Sequence, residues 1–248
     1  MLVFINNSWA QHFTLYGGTH LCVVSAFAAL VVLVLAQGRC DGTSDESPRR
    51  NRVDKAIGWI VLAIACCVEI FTLWPTRFDY RTSLPLHPCN LAVFIASGAL
   101  LLRWRLLRAI THFWGLGLCT FAFIFPDLSV GPAHFQFWTF WAGHWAIVGS
   151  AIYDMSARGY RPSWRDWILV VRFSAIYLAT IFSIDTIFHL NYAYIGQPYS
   201  WQHSPVEAIG PWPWRVPIMF LAAMSIMLLM VLPWDIGLRR NANANCHR

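Results

Sequence analysis

Apolar residues come in seven long runs, at about 17–37, 56–75, 86–102, 109–125, 135–153, 167–189 and 214–237, divided by short polar stretches. About 20 apolar residues are what an α-helix needs to cross a bilayer. The pattern predicts an all-α polytopic membrane protein, with residues 1–248 forming a single domain of seven transmembrane helices. Residues 1–16 hold no Lys, Arg, Asp or Glu, and no basic stretch precedes the first run, so no cleaved signal peptide is predicted. The longest polar break, 38–55, contains Gly42-Thr43-Ser44 and Ser47-Pro48 and reads as a turn-rich loop.

Composition agrees: 57% of the 248 residues are hydrophobic and 12% charged, against about a quarter charged in soluble domains. The net charge of +6 could suggest nucleic acid, but the basic residues sit in short loops between apolar runs. Counted on alternating sides, fourteen fall on one face and three on the other, leaving Arg172 inside the sixth run. Cytoplasmic loops of membrane proteins carry the excess of Lys and Arg. The N-terminus is therefore expected outside and the C-terminus in the cytoplasm, with membrane lipids as partners and no nucleic acid.

Polar residues within the runs point to chemistry. Leu84-Pro85-Leu86-His87-Pro88-Cys89-Asn90 opens the third run with an imidazole, a thiol and a carboxamide. Pro88 suits the first turn of a helix, where its missing N–H is not needed. Cys89 then lies where free N–H groups and the helix dipole favour a thiolate. At about 1.5 Å per residue, Glu69, Cys89, His144 and Asp185 all fall in the non-cytoplasmic half, with Asp127 and His134 in the loop above. Asp185 and His189, four residues apart, are expected on one helix face. Each has a plainer reading: a buried thiol, a packing histidine, a protonated carboxyl, an interfacial pair. Shared depth favours a common site.

Seven cysteines without a C-x-x-C argue against a disulfide framework. Lys55 is the sole lysine, which excludes a retinal Schiff base in the last span. A small-molecule or ion transporter or receptor-like binding protein using the same polar cluster stays open. A metal site through His87, Cys89 and His144 has only a short, unspecific spacing behind it, and no metal ligands are assigned.

The ordered set Leu84-Pro85-Leu86-His87-Pro88-Cys89-Asn90, Phe140-Trp141-Ala142-Gly143-His144, Arg161-Pro162-Ser163-Trp164, Asn191-Tyr192 and Gly210-Pro211-Trp212-Pro213-Trp214 resembles the YwaF-type bacterial integral membrane proteins. Their eukaryotic relatives are called transmembrane protein 164. Pro88 stands where that pattern leads one to expect a bulky apolar residue, and Asp185 an amide. The resemblance implies a bacterial inner-membrane protein and a cysteine-dependent acyltransferase acting on (lyso)phospholipids. By it, Cys89 matches the acyl-accepting cysteine and His144 its base. His87, Asn90, Glu69 and Asp185 would support them. No cofactor is implied beyond an acyl donor, a phospholipid or acyl-CoA.

Overall fold

The computed structural model describes residues 8–40, 48–200 and 205–246; positions 1–7, the middle of the predicted loop (41–47) and Arg248 lie outside them. Its longer helices are α1 (Gly18–Cys40), α2 (Pro48–Thr72), α3 (Pro88–Leu102), α4 (Arg105–Ile124), α5 (Phe135–Ser156), α6 (Trp164–Phe188) and α7 (Arg215–Cys246). No strand forms among the described residues, where the only β pairing is one isolated bridge, His12 to Val130.

Five of these helices, α1, α2, α4, α6 and α7, are long and apolar enough to cross a membrane, against seven runs in the sequence. At 15 residues α3 is a shorter apolar helix, about 22 Å long against a hydrocarbon core of about 30 Å. The other, α5, has 22 residues but carries Gln136, Thr139, His144, Ser150 and Asp154. Large apolar side chains such as Val32, Ile60, Ile176, Ile187 and Leu221 stand more than half exposed, as expected where the surrounding solvent is lipid.

The core is centred on α3, which packs against α2 and α5. Its buried positions Ala92, Ala96, Ser97 and Ala99 are small, so neighbouring backbones come close. Ser97 Oγ donates to the Gly58 carbonyl of α2 at 2.9 Å. A Cβ on Gly58 would lie 2.7 Å from Leu101 Cγ, so this approach needs glycine. Within α4 the α-helical turns Arg105–Ile110 give way to a π-helical turn, Thr111–Leu116, and then to a 3₁₀ turn, Cys119–Phe123. Trp114 in the π turn is buried and donates through Nε1 to Ser174 of α6 at 2.9 Å.

The loop expected over 38–55 is shorter than that. From Pro48 onward the chain is helical, because the charge at its buried position is paired. Asp54 accepts from Arg103 (2.8 Å), Arg158 (2.9 Å) and the Tyr153 hydroxyl (2.8 Å). Arg108 pairs with Asp154 at 2.9 Å and Arg105 with Asp166 at 2.7 Å. Three stretches counted on one face by their basic residues thus meet at one end of the molecule. Ser163 and Asp166 form a capping box that starts α6 there.

Candidate functional site

At the opposite end, α3 begins as its sequence predicts. Pro88 occupies the first turn and His87 is the N-cap residue, with extended backbone. Cys89 follows, half-buried and packed against the apolar core. Its Sγ lies 4.0 Å from Asn90 Oδ1, a weak contact. The Asn90 amide is fixed from its other side: Nδ2 donates to Glu69 Oε1 at 2.6 Å. Glu69 is 7% exposed, and its Oε2 is buried without a partner. Glu69 and Asn90 thus lie beside Cys89 at the start of α3.

His144 is also buried, in the adjacent α5, with its ring against Phe140 at 4.4 Å. Nδ1 lies 2.8 Å from the Phe140 carbonyl. A carbonyl only accepts, so Nδ1 carries the proton and Nε2 is left as the basic nitrogen. No hydrogen bond joins His144 to Cys89 in this arrangement; each is bonded within its own helix.

The outer loops close over this end. The Ala193 N–H donates to His87 Nδ1 at 3.3 Å, and the His87 ring meets Tyr192 and Tyr194 at 5.2 and 5.6 Å. Tyr194 donates through its hydroxyl to Asp127. Tyr192 Oη accepts from the Leu84 N–H at 2.9 Å and donates to the Tyr80 carbonyl at 2.8 Å. Tyr177 donates to the Leu86 carbonyl at 2.6 Å. Three phenols therefore hold the approach to α3. Burial, with Asp127 beside it, pushes the Tyr194 phenol up, and burial pushes Tyr192 up to about 12. Both stay protonated donors at neutral pH.

Asp185 is buried at the end of α6, where Oδ1 accepts the Tyr192 N–H at 3.1 Å and Oδ2 has no partner. It shapes the loop and bonds none of Cys89, Asn90 and His144. The expected pairing of Asp185 with His189 on one face does not occur. The helix ends at Phe188, and His189 turns into the left-handed region (φ 55°), exposed, with its backbone N–H donating to the Asp185 carbonyl and its own carbonyl accepting the Tyr199 hydroxyl at 3.1 Å. Ala193 (φ 53°) and Tyr194 (φ 60°) are also left-handed. Non-glycine residues held there store about 1–3 kcal/mol each and gather at functional sites. His134 bonds Gln11 at 3.1 Å, away from this cluster.

Sequence reasoning missed Tyr177, Tyr194 and Arg215. The tyrosines fit an interfacial belt, and their partners lie far away along the chain. Arg215, one of the three basic residues on the sparser face, is 2% exposed and donates to the carbonyls of Tyr194 (3.2 Å) and Gly196 (2.8 Å), fixing the loop. Cys22, Cys66 and Cys67 are exposed and Cys119 is buried in the core. Among the described residues no group of three or more His, Cys, Asp or Glu side chains is arranged to hold a metal ion.

The sequence profile of the TMEM164 family matches residues 9–232, nearly the whole chain and all seven helices in part or in full. Neither a curated protein nor a solved structure matches.

Proposed function

The chain belongs to the TMEM164 family of membrane proteins, and from that premise we propose that it is an acyltransferase acting on (lyso)phospholipids through a Cys89 thioester. The observation that carries this reading is the position of Cys89: a half-buried thiol in the first turn of α3, beside the Asn90–Glu69 bond and under the tyrosine-held loop. The N-terminal dipole of α3 acts on this sulfur, although Pro88 has no N–H and the Asn90 and Leu91 N–H groups already bond the His87 carbonyl.

In the first half-reaction the sulfur attacks the carbonyl carbon of the donor's acyl ester. An S–C bond forms, the ester C–O bond breaks, and the proton lost by the thiol passes to the departing lysolipid oxygen. In the second, the hydroxyl of an acceptor lysophospholipid attacks the thioester. Its C–O bond forms, S–C breaks, and the hydroxyl proton goes to His144 Nε2, the nitrogen left basic by the bond from Nδ1 to Phe140, and from there to the departing sulfur, restoring the thiol. Cys89 and His144 are not bonded to each other, and this reading makes the acceptor hydroxyl the group that connects them. The second N–H of the Asn90 amide supplies a donor for the developing oxyanion. His87 orients the loop.

The same reading takes all seven helices as one membrane domain, crossing with the N-terminus outside and the C-terminus cytoplasmic in a bacterial inner membrane. The site then lies in the non-cytoplasmic half. The basic asymmetry and the gathering of Asp54, Arg103, Arg108 and Arg158 at the other end support it.

Proteoliposomes with a labelled phospholipid donor and a lysophospholipid acceptor test the activity. Transfer that is lost in Cys89→Ala and kept in Cys119→Ala supports it; transfer unchanged in Cys89→Ala contradicts it. One feature favours a second reading, an ion- or proton-coupled carrier: Glu69 Oε2 and Asp185 Oδ2 are both buried without partners. That reading requires Glu69→Gln, rather than Cys89→Ala, to abolish function.

A further inference from the structure

Helix α2 carries two stripes. Gly58, Val61, Ala65 and Glu69 recur at helical spacing on its buried side, where Glu69 meets Asn90. About a third of a turn away, Cys66, Cys67, Ile70 and Trp74 face outward. With Phe71 and with Phe135 of α5 they wall an open apolar groove of about 680 Å³. The groove runs from Ala63 to the end of α2 at Thr72, about 14 Å along the helix, and on past Trp74 to Arg77. The helical part is close to half of a hydrocarbon core about 30 Å thick, the depth of one leaflet.

Its outer end is marked by charge. Arg77 lines the groove there, its guanidinium 4.4 Å above the Phe71 ring. No carboxylate among the described residues pairs with it. The nearby Asp79 instead accepts the backbone N–H of Arg81. Trp74, 56% exposed, sits at the same level, where tryptophan prefers the membrane interface.

We propose that this groove is a binding site for one anionic membrane phospholipid, with an acyl chain along Ala63–Trp74 and the phosphate at Arg77. The chain's length matches a leaflet, the walls are apolar, and the cation stands at headgroup height. The site goes beyond the acyl-transfer reading and does not need turnover, so the two fail separately. A bound lipid here would lie on the face of α2 next to the one that carries Glu69.

The test uses the purified full chain in nanodiscs containing photoreactive phosphatidylglycerol, with a diazirine in its acyl chain, against the same probe built on phosphatidylcholine. Label is expected to concentrate on positions 63–74 and Phe135. Cys67→Trp and Ile70→Trp, both on the exposed face, should fill the groove and displace it. Arg77→Gln should remove a preference for the anionic lipid of about fivefold, the effect of one arginine at a charged surface. Label spread equally over the exposed faces of α1 and α6 would overturn the proposal in favour of ordinary boundary lipid. So would efficient Cys67-to-Cys67 crosslinking between two chains, which would make the groove a dimer contact.

Discussion

Asn90 Nδ2 donates to Glu69 Oε1 at 2.6 Å, and this bond between α3 and α2 is the nearest fixed polar geometry to the Cys89 sulfur. It holds the amide so that Oδ1 faces the thiol while one N–H remains free. Asn90→Ala would leave Glu69 with both oxygens buried and unpartnered, a loss of about 1–3 kcal/mol. Thermal unfolding in detergent should report that drop. Asn90→Asp should lower stability further, because two carboxyl groups would then face each other, and acyl transfer should fall with it. Asn90→Asp with wild-type stability and turnover would show that the bond has neither role.

At the other end, Asp54 is 1% exposed and holds Arg103, Arg158 and Tyr153 together. Removing one partner of a buried ion pair leaves the rest uncompensated, typically about 3–5 kcal/mol. Asp54→Ala should therefore destabilise the protein by that order. The exposed Arg172→Gln should leave stability and transfer nearly unchanged. Equal effects from the two, by denaturant titration of the purified proteins, would remove the argument that this network anchors the loops.

Tyr192 and Tyr194 give a pH signature. Both phenols titrate higher in the folded chain than their ordinary value of 10.0. A raised acid means that the folded state holds its proton more tightly than the unfolded one. The stability this contributes is complete below pH 10 and is lost as pH rises through it, toward about 12 for Tyr192. Melting temperature should be flat from neutral pH to the onset of that window and then fall, and Tyr192→Phe with Tyr194→Phe should reduce the fall. An identical alkaline slope in the double variant would contradict the loop assignment.

Much of the fold is legible in the pattern of apolar runs, since each of the seven lies on a helix. Pro88 marked the start of α3 because a missing N–H costs nothing in a first turn. Other features depend on partners that no local pattern shows. Pro48–Lys55 looks like a loop by composition, but Asp54 is neutralised by arginines 49 and 104 positions away. The spacing of Asp185 and His189 assumed a helix that continues, and the chain leaves it at Phe188. Leu84 and Tyr192 meet across 108 residues, so nothing local in the chain marks Tyr192 as a loop clamp. Cys89, Asn90 and Glu69 could be grouped by depth alone. The separate bonding of His144 could not, because depth does not say which way a side chain turns.

The central claim is that Cys89 carries the acyl group, with His144 Nε2 as the base for its transfer. Intact-mass and peptide mass spectrometry of the purified chain, quenched in acid after mixing with a phospholipid donor and no acceptor, tests it most directly. The account predicts one acyl group on the peptide containing Cys89, released by hydroxylamine as a thioester is, and absent in Cys89→Ala. His144→Ala should retain the adduct but discharge it to a lysophospholipid more slowly, by roughly 10²–10⁴-fold for loss of a general base. No adduct at Cys89 while the lipids are nonetheless remodelled, or discharge in His144→Ala at the wild-type rate, would contradict it.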